Sequence, residues 1–415
     1  MADHARSDNP AVQAQLDRFA QLSPGRDILG LERITDLLAR LGNPHLSLPP
    51  VFHVAGTNGK GSTCAFLRFM LEAAGHVVHV YTSPHLVRFN ERIRLAGTLI
   101  RDEALAPLLR EVLDAAEAGG LAPSFFEATT AAAFLAFART PADACIIEVG
   151  LGGRLDATNV ITYPLVCGIA QLGVDHQAFL GDDAVTIAGE KAGIAKAGVP
   201  LLTQAYPSAQ AARIAEVAAQ AGAMLRVRGA DWTPALSAHP ALPGVHQREN
   251  AALAVAMLQA QSSLTVRDEA MSAGIRNTRW AARLQLLSPG PLVHAGHEVW
   301  LDGCHNPAGA ELIAHHFNDG QPLHIICGIL ANKDAWGILA PFKDVAQRVT
   351  AVPIIGHPHH SPDELVTIAR DLGLESEVAI DIASALSGTT ATRTLIMGSL
   401  YLASEVLSSN HEWPD

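Results

Sequence analysis

An apolar run at 51–55 is followed at once by Gly56-Thr57-Asn58-Gly59-Lys60-Gly61-Ser62, and then by a helix-like stretch at 63–74. Strand, glycine-rich turn and helix start, in that order, commit this part of the chain to an α/β unit with the turn at a strand's carboxyl end. Such a turn aims backbone N–H groups and the positive end of a helix at a phosphate. A lysine there can reach the terminal phosphates, and a hydroxyl can hold Mg2+. The spelling departs from the common G-x-x-x-x-G-K-S/T. Its first glycine is missing, and Gly61 stands between Lys60 and Ser62. A lone glycine cluster would read as a turn without ligand. Lys60, Ser62 and the preceding strand shift the reading to a nucleoside triphosphate site.

The same alternation continues along the chain. Strand candidates at 51–55, 77–81, 144–149, 165–169 and 200–203 are separated by Ala/Leu-rich stretches such as 105–118 and 129–138. This pattern predicts a parallel sheet with helices on both faces, so the fold class is α/β. Ligands of such sheets bind beyond the carboxyl ends of the strands, where Gly56, Glu148 and Gln171 would emerge. Two prolines and a glycine in Leu287-Ser288-Pro289-Gly290-Pro291 suit a linker. A second alternation follows, with strands at 299–301, 323–327, 349–352, 377–380 and 394–397 and helices at 307–317 and 362–372. We therefore expect a P-loop parallel-sheet ATPase domain over 1–287 and a smaller Rossmann-like α/β domain over 288–415. The residues to about Gln13 read as disordered or peripheral.

A net charge of −12 argues against an extended nucleic-acid or anionic-membrane surface. Cys64, Cys145, Cys167, Cys304 and Cys327 form no C-x-x-C and sit among apolar or small residues, which suits buried thiols in a reducing compartment. The polar N-terminus shows no signal peptide, and no apolar run reaches transmembrane length. The expectation is a cytoplasmic protein that handles small molecules, without nucleic acid or membrane.

Four further segments bear on chemistry. Glu148 ends a strand and begins Glu148-Val149-Gly150-Leu151-Gly152-Gly153-Arg154-Leu155-Asp156-Ala157-Thr158-Asn159. A strand-end carboxylate beside a phosphate loop is placed for Mg2+, and glycines after it let backbone approach a ligand. Asp175-His176 follows another strand of the same sheet, where metal or phosphate contact and a merely satisfied histidine are comparable readings. Lys191, in Glu190-Lys191-Ala192-Gly193-Ile194, reads from spacing alone as a solvated surface charge. In Asp302-Gly303-Cys304-His305-Asn306-Pro307, Asn306 can cap the helix that starts at Pro307, leaving Asp302 and His305 for a ligand. His357-Pro358-His359-His360 reads as a solvated loop without function.

Taken together, these segments resemble the Mur ligase superfamily, and more closely the folylpolyglutamate synthase/dihydrofolate synthase family of the bacterial bifunctional type. The resemblance runs from about Ile28 to Leu402. It is carried by 29–34, 56–62, Thr82-Ser83-Pro84-His85-Leu86-Val87-Arg88-Phe89-Asn90-Glu91-Arg92, 125–127, 148–159, 175–176, 190–194, 302–307 and Gly398-Ser399. It implies an ATP-dependent ligase that adds L-glutamate to dihydropteroate, and to folates as well, through an acyl phosphate. It implies that Gly56, Thr57, Asn58, Gly59, Lys60, Gly61 and Ser62 bind ATP, with Asn250, Arg283, Asp302 and His305. Ser62, Ser83 and Glu148 would hold one Mg2+ and His176 a second, and Lys191 would be the family's carbamylated lysine that helps place it. Lys60, Glu148, His176 and Lys191 would then be the catalytic set, with a monovalent cation as a further candidate ion. Asp27, Ile28, Leu29, Phe125, Phe126, Glu127, Thr130, Gly153, Arg154, Leu155 and Asp156 match the pteroate-binding region. The same resemblance suits a monomer.

The chain departs from the family in three places. Ile-Asp-Leu before Gly30 is Asp27-Ile28-Leu29, Pro-Gly before the ATP-binding arginine is Ala281-Ala282, and the Ser/Thr ahead of Asp-His is Gln171. A Mur-type ligase for a cell-wall precursor is the nearest rival, and the Ser83-Pro84-His85-Leu86 segment argues against it. A P-loop regulatory NTPase is the rival of another class, and it does not predict the 302–305 segment.

Overall fold

A computed structural model describes residues 5–22, 29–173, 181, 183–234, 236–388 and 393–415. It divides into two compact units. The first holds 1–241, 248–278 and 415, and the second holds 242–247 and 279–414. The division falls at 278/279, ahead of the expected 287/288, and for a clear reason. Gln285–Leu286 pairs antiparallel with Glu298–Leu301, so the residues before the Pro/Gly linker already belong to the second sheet.

The first unit is built on eight strands: β1 (Val51–Ala55), β2 (Val78–Tyr81), β3 (Ile93–Leu95), β4 (Thr98–Leu99), β5 (Ala144–Glu148), β6 (Val166–Ile169), β7 (Pro200–Thr203) and β8 (Met224–Val227). Their order is β4-β3-β2-β5-β1-β6-β7-β8. All pairings are parallel except those of β2 with β3 and β3 with β4. β1, β5 and β6 are buried at every position, as central parallel strands must be when helices cover both faces. β1 lies between β5 and β6, where the strand order reverses. In open α/β sheets, ligands bind beyond the carboxyl ends of the strands at such a reversal.

The helix Phe125–Arg139 starts four residues before its expected position, because Ser124 and Glu127 form a capping box. The expectation that the residues to about Gln13 are disordered or peripheral fails from Pro10 onward. A helix spans Pro10–Leu22, and its Val12, Leu16 and Phe19 enter the first unit's core. Their spacing places them on one helical face, which pays for ordering the segment by apolar burial.

The second unit carries β9 (Gln285–Leu286), β10 (Glu298–Leu301), β11 (His324–Cys327), β12 (Arg348–Ala351), β13 (Glu375–Val378) and β14 (Arg393–Met397). Their order is β13-β12-β11-β14-β10-β9, parallel but for the edge strand β9. The helix Pro307–Phe317 begins as expected, with Asn306 accepting from Gly309 N at 2.9 Å and Pro307 in its first turn. All five cysteines are buried thiols. Among the described residues no helix is long and apolar enough to cross a membrane.

Candidate functional site

The glycine turn leaves β1 at the sheet's order reversal and enters the helix Lys60–Ala73. Gly59 caps that helix in the left-handed region, at φ 80°. A Cβ there would collide with Asn250 Oδ1, so only glycine lets this turn and Asn250 approach each other. The turn is tied to the neighbouring strand end. Thr57 N and Asn58 N donate to Gln171 O at 2.8 and 3.2 Å, and Thr57 Oγ1 donates to Gly173 O at 2.8 Å. Lys60 Nζ donates to the carbonyls of Gly56 and Thr57 at 3.0 and 3.1 Å. Ser62 lies in the first turn of the helix and is buried.

Glu148 ends β5, one strand over, and is 4% exposed. Its Oε2 accepts from Ser83 N at 3.1 Å, so the two candidate metal residues are brought together. Lys191 corrects the reading from spacing. It is 4% exposed, and its Nζ donates to Gly56 O at 2.9 Å. One carbonyl of the glycine turn thus receives both Lys60 and Lys191. Asp27, Ile28, Asp175 and His176 lie outside the described residues. Among the described residues, no group of three or more His, Cys, Asp or Glu is placed to hold a metal. Glu148 with Ser62, Ser83 and phosphate oxygens is a different donor set, a single carboxylate with neutral oxygens, and it is one that Mg2+ accepts.

The 150–156 loop after β5 is held from several sides. Arg154 N donates to Glu190 O at 2.8 Å, and Arg154 pairs with the Glu190 carboxylate at 2.9 Å. Asn159 Nδ2 donates to Arg154 O and Gly193 O at 3.0 and 3.1 Å. Gly153 packs where a Cβ would meet Glu190 O at 2.6 Å and Lys191 O at 2.9 Å. Gly150 packs where a Cβ would enter the Phe126 ring. Asp156 is buried and accepts from Leu151 N at 2.8 Å; burial pushes its carboxyl up, and these N–H groups pull it back.

The aromatic segment is partly enclosed. Glu127 is 3% exposed, accepts from Ser124 N at 2.7 Å and pairs with Arg33 at 3.0 Å. Thr130 is fully buried, and its hydroxyl lies 3.1 Å from Tyr81 Oη. Phe125 and Phe126 are half-buried, as are Leu29 and Leu155. Phe125 meets Phe19 and Phe89 edge-on, and Arg92 lies over its face at 5.4 Å.

In the second unit, Asp302 follows β10 and is 3% exposed. It accepts from Leu284 N and Cys304 N, each at 2.8 Å. Burial raises its pKa, and the Arg283 guanidinium opposes the rise. Arg283 is flanked by two non-glycine residues at positive φ, Ala282 at 53° and Leu284 at 46°. His305 Nδ1 lies 2.9 Å from Gly303 O. His357 stacks on Tyr401 with ring centroids 3.7 Å apart, so its loop is half-buried rather than simply solvated.

Sequence reasoning passed over His53 and Thr158. The histidine is the one polar residue in β1, and that was the signal available.

No protein-family model matches the chain. It is 34% identical to the dihydrofolate synthase/folylpolyglutamate synthase of Bacillus subtilis (strain 168), over 91% of this chain and 94% of that protein. The solved structure of E. coli FolC in complex with DHPP and ADP is 33% identical, covers 97% of each chain and superposes with a TM-score of 0.85. A bifunctional folylpolyglutamate synthase/dihydrofolate synthase with Mn, AMPPNP and L-glutamate bound is 29% identical, covers 98% of this chain and all of that one, with a TM-score of 0.84. A nucleotide-type glycine turn and a buried strand-end glutamate are features of many folds. Likeness in sequence over nine-tenths of the chain narrows them to one: the chain belongs to the dihydrofolate synthase/folylpolyglutamate synthase family.

Proposed function

We infer that this chain is an ATP-dependent ligase that joins L-glutamate to the carboxylate of dihydropteroate, forming dihydrofolate, and to folates as further glutamates are added. The observation that carries the reading is Glu148, a buried carboxylate on β5 beside the glycine turn of β1. A carboxylate is a poor electrophile. Transfer of the γ-phosphoryl group to it gives an acyl phosphate, which the amino group of glutamate attacks, with phosphate as the leaving group.

The 56–62 turn would hold the ATP phosphates on backbone N–H groups, and Lys60 would swing from the loop carbonyls to the terminal phosphates. Asn250 would steady the turn at Gly59, and Arg283, Asp302 and His305 of the second unit are proposed as further ATP-contacting residues. Ser62, Ser83 and Glu148 suit one Mg2+, and His176 with Lys191 a second. Mg2+, when bound, supplies positive charge where negative charge gathers on the transferring phosphoryl group. Leu29, Phe125, Phe126 and the 153–156 loop would form the pteroate face, with Asp27 and Ile28. Glu127 and Thr130, both buried, would belong to the same pteroate-binding region. The two units would divide the work as an ATP- and pteroate-binding part and a smaller ligase part. The net charge of −12 argues against a nucleic-acid or anionic-membrane surface, and we take the protein to be a cytoplasmic monomer.

The test is phosphate release from ATP with dihydropteroate and L-glutamate, each omitted in turn. Release that needs both is expected. Release independent of both would sink the ligase reading. Chelation of divalent ions should abolish the activity, and added Mg2+ or Mn2+ should restore it.

A further inference from the structure

His53 is a buried titratable group that the proposed reaction leaves unexplained. It sits in the middle of β1, three residues before the glycine turn, and is 0% exposed. Its strand neighbours Val51, Phe52, Val54 and Ala55 are all apolar. An imidazole in such a strand costs desolvation, and Nδ1 has no hydrogen-bond partner to offset it. Burial, with Lys196 nearby, lowers its pKa to about 3, so it is neutral.

The other nitrogen has one contact that matters. His53 Nε2 lies 2.9 Å from Thr158 Oγ1, and Thr158 Oγ1 lies 2.5 Å from Asp156 Oδ1. Both Asp156 oxygens already accept backbone N–H groups, Oδ1 from Thr158 and Oδ2 from Leu151. The threonine hydroxyl therefore donates its single proton to Asp156 and must accept from His53. This assigns the histidine as the Nε2–H tautomer with a bare Nδ1, in accord with the unpartnered Nδ1. The core of the P-loop strand is thus linked, through one hydroxyl, to the carboxylate that ties residues 151 and 156 together.

We propose that His53 is a positioning residue: through Thr158 it holds Asp156, and with it the 150–156 loop, in the shape that receives the pteroate substrate. The inference rests on the reading of 153–156 as part of the pteroate face. His53 touches no substrate. Its effect belongs to the KM for that one substrate and not to phosphate transfer.

The experiment is steady-state kinetics of His53→Leu, His53→Gln and Thr158→Val, with dihydropteroate, ATP and glutamate varied separately. Leucine removes the donor at similar volume, while glutamine keeps an amide donor near the reach of Nε2. The expected result is a roughly five- to tenfold rise in the KM for dihydropteroate in His53→Leu, with kcat and the KM for ATP within about twofold. Glutamine should restore it. The double variant His53→Leu/Thr158→Val should be no worse than either single one, because the two residues act in series. An unchanged dihydropteroate KM, a parallel rise in the ATP KM, or full additivity would overturn the proposal. If His53→Leu fails to fold, Thr158→Val against Thr158→Ser asks the same question of the hydroxyl. Arg154→Ala separates the two layers of inference. If it leaves the dihydropteroate KM unchanged, the pteroate-face reading fails; if it raises that KM while His53→Leu does not, only the relay fails.

Discussion

At the scale of single residues, Lys191 shows what burial adds to a spacing pattern. In sequence it is one lysine on a helical stretch. In the fold it is 4% exposed and donates to Gly56 O, within the turn that would hold ATP. Lys191→Ala should lower kcat by roughly 10- to 100-fold, the usual range for groups that support a metal or its ligands. Added short-chain carboxylates should recover part of the loss if a carbamate completes the site. Full activity in Lys191→Ala would remove the carbamate from the mechanism. A second residue-scale effect sits at Ala282. The family's usual glycine is replaced by alanine here, and the backbone keeps a positive φ of 53°. That costs about 1–2 kcal/mol for an alanine, while glycine would give back roughly 0.5–1 kcal/mol in unfolded-chain entropy. Ala282→Gly should therefore leave the Tm level or slightly raised, and Ala282→Val should lower it clearly. A thermal melt of both variants checks this. A Tm loss in Ala282→Gly as large as that in Ala282→Val would mean that the buried methyl group outweighs the strain.

At the scale of elements, the segment β1, glycine turn and helix Lys60–Ala73 was legible because its signals are local. An apolar run, glycines at the turn and a lysine with a hydroxyl at the helix start each act within a few residues. Glu148 was legible for the same reason, as the last residue of a buried strand. β4 and β9 were not, since two residues each, Thr98-Leu99 and Gln285-Leu286, make no run to detect. β8 alternates exposed and half-buried positions at the sheet edge, so little apolar patterning marks it. The partners of Lys191 and Thr130, and the Arg33 that pairs with Glu127, were hidden because they come from elements far apart in sequence. The glycine turn itself makes a sharp test. Gly59→Ala forces a side chain into a left-handed cap and against Asn250. The Kd for ATP should rise roughly tenfold or more, since strain of about 1–3 kcal/mol falls on the phosphate-binding backbone. Isothermal titration with ATP reads this directly. Unaltered affinity would place the phosphates elsewhere than on this turn.

At the scale of the whole molecule, buried histidines set how stability answers to acid. His53 in the first unit has its pKa lowered to about 3, and His246 and His324 in the second have theirs lowered to about 4. In each case burial is the main cause, helped by Lys196, Arg283 and Arg348 respectively. The unfolded chain takes up these protons below about pH 6.5, whereas the fold refuses them until pH 3–4. Stability from this source is therefore complete above pH 6.5 and is lost as the pH falls toward 4. Each histidine contributes at most about 1.4 kcal/mol per pH unit. Asp156, Asp302, Glu72 and Glu91 work the other way. Burial raises their carboxyl pKa values, so the fold takes their protons before the unfolded chain does. The histidines act from pH 6.5 downward, and the carboxyls oppose them as the fold takes up each of their protons ahead of the unfolded chain. The Tm should fall as the pH drops from 6.5 to 5.5. The double variant His53→Gln/His324→Gln, which removes one such histidine from each unit, should flatten the first part of the curve. A wild-type Tm that holds level from pH 7.5 to 5.5 would show that these imidazoles reach protons in the native state more readily than their burial allows.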